Sequence, residues 1–129
     1  MAEPIRPMIV VDGANVVGSV PDGWWRDRRG AAERLRDSLA GRAAEGVAEV
    51  PGPVELVLVV EGAARGVESV PGVRVESAPG SGDDLIAELA RRAEAEGRPC
   101  VVVTADRELR GRVERHGARC LGPRAVRGR

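Results

Sequence analysis

Lysine, phenylalanine and tyrosine are missing from this sequence of 129 residues, and histidine occurs once. Without lysine the chain cannot carry a Walker A phosphate loop, a Schiff-base catalyst or the lysine of a phospho-acceptor receiver domain. Its aromatic content is two adjacent tryptophans, Trp24 and Trp25, so a core must be packed from Val, Leu, Ile and Ala, which suits short valine-rich strands. Cys100 and Cys120 stand in strand-like segments without a Cys-x-x-Cys spacing, and buried reduced thiols are expected rather than a disulfide or a zinc site. No window approaches the ~18 apolar residues of a membrane span. The first seven residues lack the apolar stretch of a secretion signal, so a cytoplasmic protein without membrane contact is expected.

What is present is a neutral chain of single-domain length. All 20 basic residues are arginine, balanced by 20 acids, but unevenly. After Glu114 come Arg115, Arg119, Arg124, Arg127 and Arg129 with no acid among them, a basic end suited to an anionic polymer.

Periodicity predicts strands near residues 8–11, 54–60, 72–76, 100–104 and 118–121. Ala32, Leu35, Leu39 and Ala43 recur at helical spacing over about 25–45, and Ile86, Leu89, Ala90 and Ala93 over about 84–96. Leu109 and Val113 mark a third helix, ended by Gly117. The alternation gives an α/β layer protein with a mostly parallel sheet. The connection 62–72 is short for a parallel crossover, with room for one turn of helix. The stretches 46–53 and 78–82 read as loops inside one domain.

Acids follow these apolar runs: Asp12 after 8–11, Glu61 after 56–60, Asp83 and Asp84 after 73–75, and Asp106 after 101–103. In an open parallel sheet the carboxyl ends of the strands share one edge, where ligands bind. Each acid also has a bland account. Asp12-Gly13-Ala14-Asn15 and Glu61-Gly62 are turn chemistry, Gly13 permitting a sharp turn that aims Asp12 and Asn15 over the edge. Ser81 and Asp84 have capping-box spacing, and Asp106 is placed to cap the third helix. The coincidence of place favours function, and oxygen donors without paired His or Cys favour Mg²⁺ or Mn²⁺ over zinc.

Val10-Val11-Asp12-Gly13-Ala14-Asn15-Val16-Val17, the helix start Gly82-Asp83-Asp84-Leu85-Ile86 and Thr104-Ala105-Asp106-Arg107-Glu108-Leu109 together resemble the NYN domains of the PIN-like nuclease superfamily, most closely the YacP-like branch. The likeness covers about residues 8–122, leaving an N-terminal tail (1–7) and a basic C-terminal tail (123–129). The resemblance implies a three-layer fold with five strands in the order 3-2-1-4-5 and metal-dependent endoribonuclease chemistry. It places Asp12, Asn15, Asp83 and Asp106 at the family's active-site positions, with Thr104 and Arg107 beside them. Glu61 falls where this branch has an acid, often Asp, and Asp84 stands next to Asp83 as a further candidate ligand.

Trp24-Trp25-Arg26-Asp27-Arg28-Arg29 could stack unpaired bases and hold phosphates, although in a chain without Phe or Tyr a tryptophan also serves as a core anchor. His116, near the end of the third helix, is accounted for by the helix dipole. The expected function is hydrolysis of RNA, single-stranded by preference, with Asp12, Asp83, Asp106 and Glu61 holding Mg²⁺ or Mn²⁺ and Asn15 and Thr104 positioning water or phosphate. Arg26, Arg28, Arg124 and Arg127 would pair with phosphates. The alternative is an RNA- or ribosome-binding module that cleaves little or nothing, and a homo-oligomer is compatible with either. A small-molecule phosphohydrolase is disfavoured, since a paired Asp-x-Asp and a lysine are both missing.

Overall fold

The computed structural model describes residues 5–127. Its main sheet is built from β1 (Met8–Asp12), β4 (Glu55–Val60), β5 (Val73–Ser77), β6 (Cys100–Val103) and β7 (Arg119–Leu121), in the order β5-β4-β1-β6-β7. All four pairings are parallel. These are the third, second, first, fourth and fifth main strands, the order that the resemblance implied.

Continuous apolar strands form because both faces of the sheet are covered. Side chains alternate across a strand. Ile9, Val11, Leu56, Leu58, Val101 and Val103 therefore join one core, against Val16 of α1 (Gly13–Gly18) and Ala32 and Leu39 of α2 (Arg28–Leu39). Met8, Val10, Val57, Val59 and Val102 join the other, with Ile86, Leu89, Ala90 and Ala93 of α3 (Gly82–Ala95) and Leu109 and Val113 of α4 (Arg107–Glu114). Burying each of the larger side chains contributes roughly 1.5–3 kcal/mol, so two aliphatic layers stabilise the fold without an aromatic centre. Both cysteines are free: Cys100 is buried, which pushes its thiol up to about 11, and Cys120 is half-buried.

Three expectations are corrected. The segment after Asp12 is not a bare turn but the six-residue helix α1. Gly13 is required there by close approach, since a Cβ would come 2.6 Å from the Val59 carbonyl oxygen. The first long helix begins later and ends earlier than 25–45. Trp24–Arg26 is a separate 3-10 turn, the Asp27 side chain caps α2 by accepting from Gly30 N–H at 2.9 Å, and Ala40–Arg42 tightens into another 3-10 turn. The stretch 46–53 contains a small antiparallel ladder, β2 (Gly46–Val47) with β3 (Val50–Pro51). The short connection after β4 does hold one turn of helix, Gly62–Ala64.

Candidate functional site

Parallel pairing carries Asp12, Glu61 and Asp106 to one edge of the sheet, and α3 begins on the same edge with Asp83 in its first turn. Among the described residues the only buried polar or charged side chains are Asp12 and Thr104, 5 % and 0 % exposed, and they are bonded to each other. Thr104 Oγ1 donates to Asp12 Oδ2 at 2.8 Å and accepts the Asp106 N–H at 3.1 Å. Asp12 Oδ1 accepts the Asn15 N–H at 3.3 Å, and Asn15 Oδ1 accepts the Ala105 N–H at 2.8 Å. The loops after β1 and β6 are thus sewn together. Asp106 accepts the Leu109 N–H at 2.9 Å as N-cap of α4, so its capping role is fulfilled as well.

These bonds refine the roles expected of two residues. The Thr104 hydroxyl hydrogen is spent on Asp12, which makes Thr104 a group that positions carboxylates. The Asn15 side-chain carbonyl likewise accepts from Ala105, leaving its amide NH₂ as the donor end of the side chain.

Burial raises the Asp12 carboxyl above its ordinary value, and the charges of Asp83 and Glu61 add to the rise, against the lowering by the bonds from Thr104 and Asn15 N–H. Asp83, half-buried, is raised by burial and then by Asp106 and Glu61, with Arg112 opposing and Glu108 adding a little. Glu61 leans against the start of α3: a Cβ on Gly82 would meet its Oε1 at 2.5 Å. The four acids therefore act on one another electrostatically. Among the described residues none of them is ion-paired with an arginine.

Asp84 points elsewhere. Its side chain is 75 % exposed and its Oδ1 lies 3.0 Å from Arg112 Nη1, tying α3 to α4. Glu108 and Arg112 were missed from sequence, although their i, i+4 spacing behind Asp106 puts them on one helix face. His116 sits at the opposite end of α4, 3.0 Å from Glu94, away from the acids.

Asp12, Glu61, Asp83 and Asp106 offer oxygen donors alone, the chemistry of a hard divalent cation. Among the described residues no three His, Cys, Asp or Glu side chains converge as a ready-made ligand set. Mg²⁺ keeps several waters and needs only one or two carboxylates, so the donors fit such an ion without a closed cage.

The aromatic and basic candidates divide. Trp24 is half-buried and carries the Arg28 guanidinium 5.3 Å from its ring centroid. Both line a cavity of about 180 Å³ that reaches Gly13 and Glu61. Trp25 is 54 % exposed, edge-on to Trp24, with Arg26 at 5.9 Å from its ring, and neither lines that cavity. Arg107 is exposed at the start of α4, beside Asp106. Arg124 is exposed in the 3-10 turn Pro123–Ala125, whereas Arg127 donates to the Ser19 carbonyl and hydroxyl oxygens, both at 3.0 Å. Arg129 lies outside the described residues. Among the described residues no helix is long and apolar enough to cross a membrane.

No family model matches the chain, and no curated protein does. Among solved structures, its fold is similar to that of Rae1 (YacP) from Bacillus subtilis, solved in a mutant form, with a TM-score of 0.71 at 18 % sequence identity. The match covers 94 % of this chain and 72 % of that one. At such identity the likeness is one of fold, and the chain has a YacP-like fold.

Proposed function

We propose that this chain is a metal-dependent endoribonuclease of the NYN, PIN-like type, hydrolysing phosphodiester bonds of single-stranded RNA at the edge formed by Asp12, Glu61, Asp83 and Asp106. One observation carries the reading: acids from separate βα units sit within electrostatic reach of one another, two of them raised in pKa, and among the described residues none is ion-paired with an arginine. Uncompensated carboxylates cost stability, and a cation is the ligand that would relieve them. The YacP-like fold and the motif resemblance support the same class.

Asp12, Asp83 and Asp106, with Glu61, would hold one or two Mg²⁺ or Mn²⁺ ions. Such an ion, when bound, lowers the proton affinity of water and offsets charge on the scissile phosphate. Thr104 fixes the Asp12 carboxylate from behind, and Asn15 locks the first loop to the fourth while its free amide faces the substrate. Arg28 and Arg107, flanking the acids, pair with phosphates on either side. The only histidine is at the far end of α4, so hydrolysis uses external water rather than a histidine-activated 2′-hydroxyl.

Purified protein should cleave single-stranded RNA in Mg²⁺ or Mn²⁺, leaving 5′-phosphate and 3′-hydroxyl ends. Cleavage should vanish in excess chelator and in Asp12→Asn. Products with 2′,3′-cyclic phosphate, or full activity in chelator, would overturn the proposal. A second reading, an RNA- or ribosome-binding module without cleavage, is favoured by the absence of a preassembled three-acid ligand set among the described residues. RNA binding without metal-stimulated cleavage would select it.

A further inference from the structure

The cavity beside the acids has the composition of a recognition pocket. Its walls are Trp24, Val17, Val60 and Ala14, with Arg28 and Glu61 as its charged members, and its volume is about 180 Å³. That is roughly the room of six waters in the liquid and below the roughly 300 Å³ at which drug-sized sites begin, so it admits one flat heterocycle and not a whole nucleotide. An indole side chain and aliphatic walls suit a flat ring that packs against them. Arg28 lies over the same Trp24 ring, where it can meet a phosphate at the mouth without leaving its cation–π contact. Glu61 belongs both to this cavity and to the acidic edge, so the two are continuous.

We infer that this cavity binds one unpaired nucleobase, stacked on Trp24, and thereby sets which phosphate of a single-stranded RNA reaches the acids. The inference rests on the proposed ribonuclease reading and adds the base-binding subsite to it. Two features make the pocket selective for single strands. A base in a duplex is stacked and paired and cannot enter a cavity of this size. A chain threaded past Glu61 and Asp12 with one base withdrawn holds its backbone on the sheet edge.

The test uses the full chain in chelator, where binding is read without cleavage. The probe is a short single-stranded oligoribonucleotide, and copies of it carry one abasic residue at each position in turn. Trp24→Leu should weaken binding on the order of tenfold, the size of one base–aromatic stack. Ala14→Leu, at an exposed helical position whose longer side chain fills the cavity, should do the same with the core intact. One abasic position should weaken wild type by a similar factor and leave Trp24→Leu unchanged, because the contact is already gone. In Mg²⁺ or Mn²⁺ the cleavage position should blur in both variants. Equal abasic penalties in wild type and Trp24→Leu, with affinity preserved in Ala14→Leu, would overturn the pocket while metal-dependent cleavage left the nuclease reading standing. Wild type that neither binds nor cleaves RNA would overturn both.

Discussion

The two ends of the sheet treat charge in opposite ways. At the amino ends, Glu55 at the start of β4 lies 3.0 Å from Arg98 Nη1 and 3.7 Å from Arg74 Nη1. The Arg98 contact is Coulombic, since Glu55 Oε1 has no aligned hydrogen bond, and Arg98 instead donates its Nε–H to the Arg6 carbonyl at 2.8 Å. At the carboxyl end of the same strand, Glu61 acts on other acids and, among the described residues, has no paired arginine. A chain with this much arginine could have neutralised both ends. The amino end of this strand pairs its acid with arginine, and the carboxyl end leaves its acid facing other acids, so one strand carries both arrangements.

Removing a charge at each end sharpens the contrast most. Asp12→Asn should lower metal-dependent cleavage on the order of 100-fold or more while the fold persists, because the amide keeps the shape and deletes the charge a hard cation requires. Glu55→Ala should leave cleavage at the wild-type rate and cost up to about 1 kcal/mol in denaturant unfolding, as expected for partly exposed pairs. Equal loss of cleavage at both ends would erase the distinction.

The unpaired end should also show in the pH dependence of stability. Asp83 is held above its ordinary 3.8 in the folded chain, so the folded state keeps this proton to higher pH than the unfolded state. Its ionisation costs nothing below about 3.8, costs progressively more as pH climbs through the raised value, and costs in full above it. In chelator, Asp83→Asn should therefore melt above wild type near neutrality, by a small margin because the side chain is partly exposed. The advantage should vanish below pH 3.8. Saturating Mn²⁺ should reverse the order by stabilising wild type alone.

The smallest effect concerns arginines outside both ends. Replacing exposed Arg107 and Arg124 by Ala should flatten the salt dependence of single-stranded RNA affinity by about 0.7 in slope for each lost phosphate contact. Affinity measured across a salt series checks this, and unchanged slopes would mark both as solvated charges. Arg127 should instead cost stability when replaced, because it is fastened to Ser19.

The strands and the acidic edge were legible because apolar runs ending in acids are governed by period and parallel topology, which sequence carries directly, whereas the strand order came only from the motif resemblance. Local geometry was harder to read. A six-residue helix starting at Gly13 has too few turns to show a period, and its glycine answers to Val59 on another strand. The β2–β3 ladder pairs two residues on each side, below any alternation signal. Arginine roles were legible only in part. Arg29 stood in the segment read as able to hold phosphates, yet it and Arg65 donate to backbone oxygens of Arg65, Gly66, Ala78 and Pro79, holding loops in place. The division of Asp83 from Asp84 was also invisible, because it is set by Arg112 on a different helix.

The pairing of Val11 with Val103 brings the next residues, Asp12 and Thr104, side by side. A strand has only two faces, so inserting or deleting one residue within β6 would turn every side chain beyond that point to the other layer and withdraw the Thr104 hydroxyl from Asp12. Length changes in the connections between elements leave that pairing alone. The evolvable parts of this molecule are therefore its loops, and the strands β1 and β6 form a fixed ruler against which any new loop must be measured.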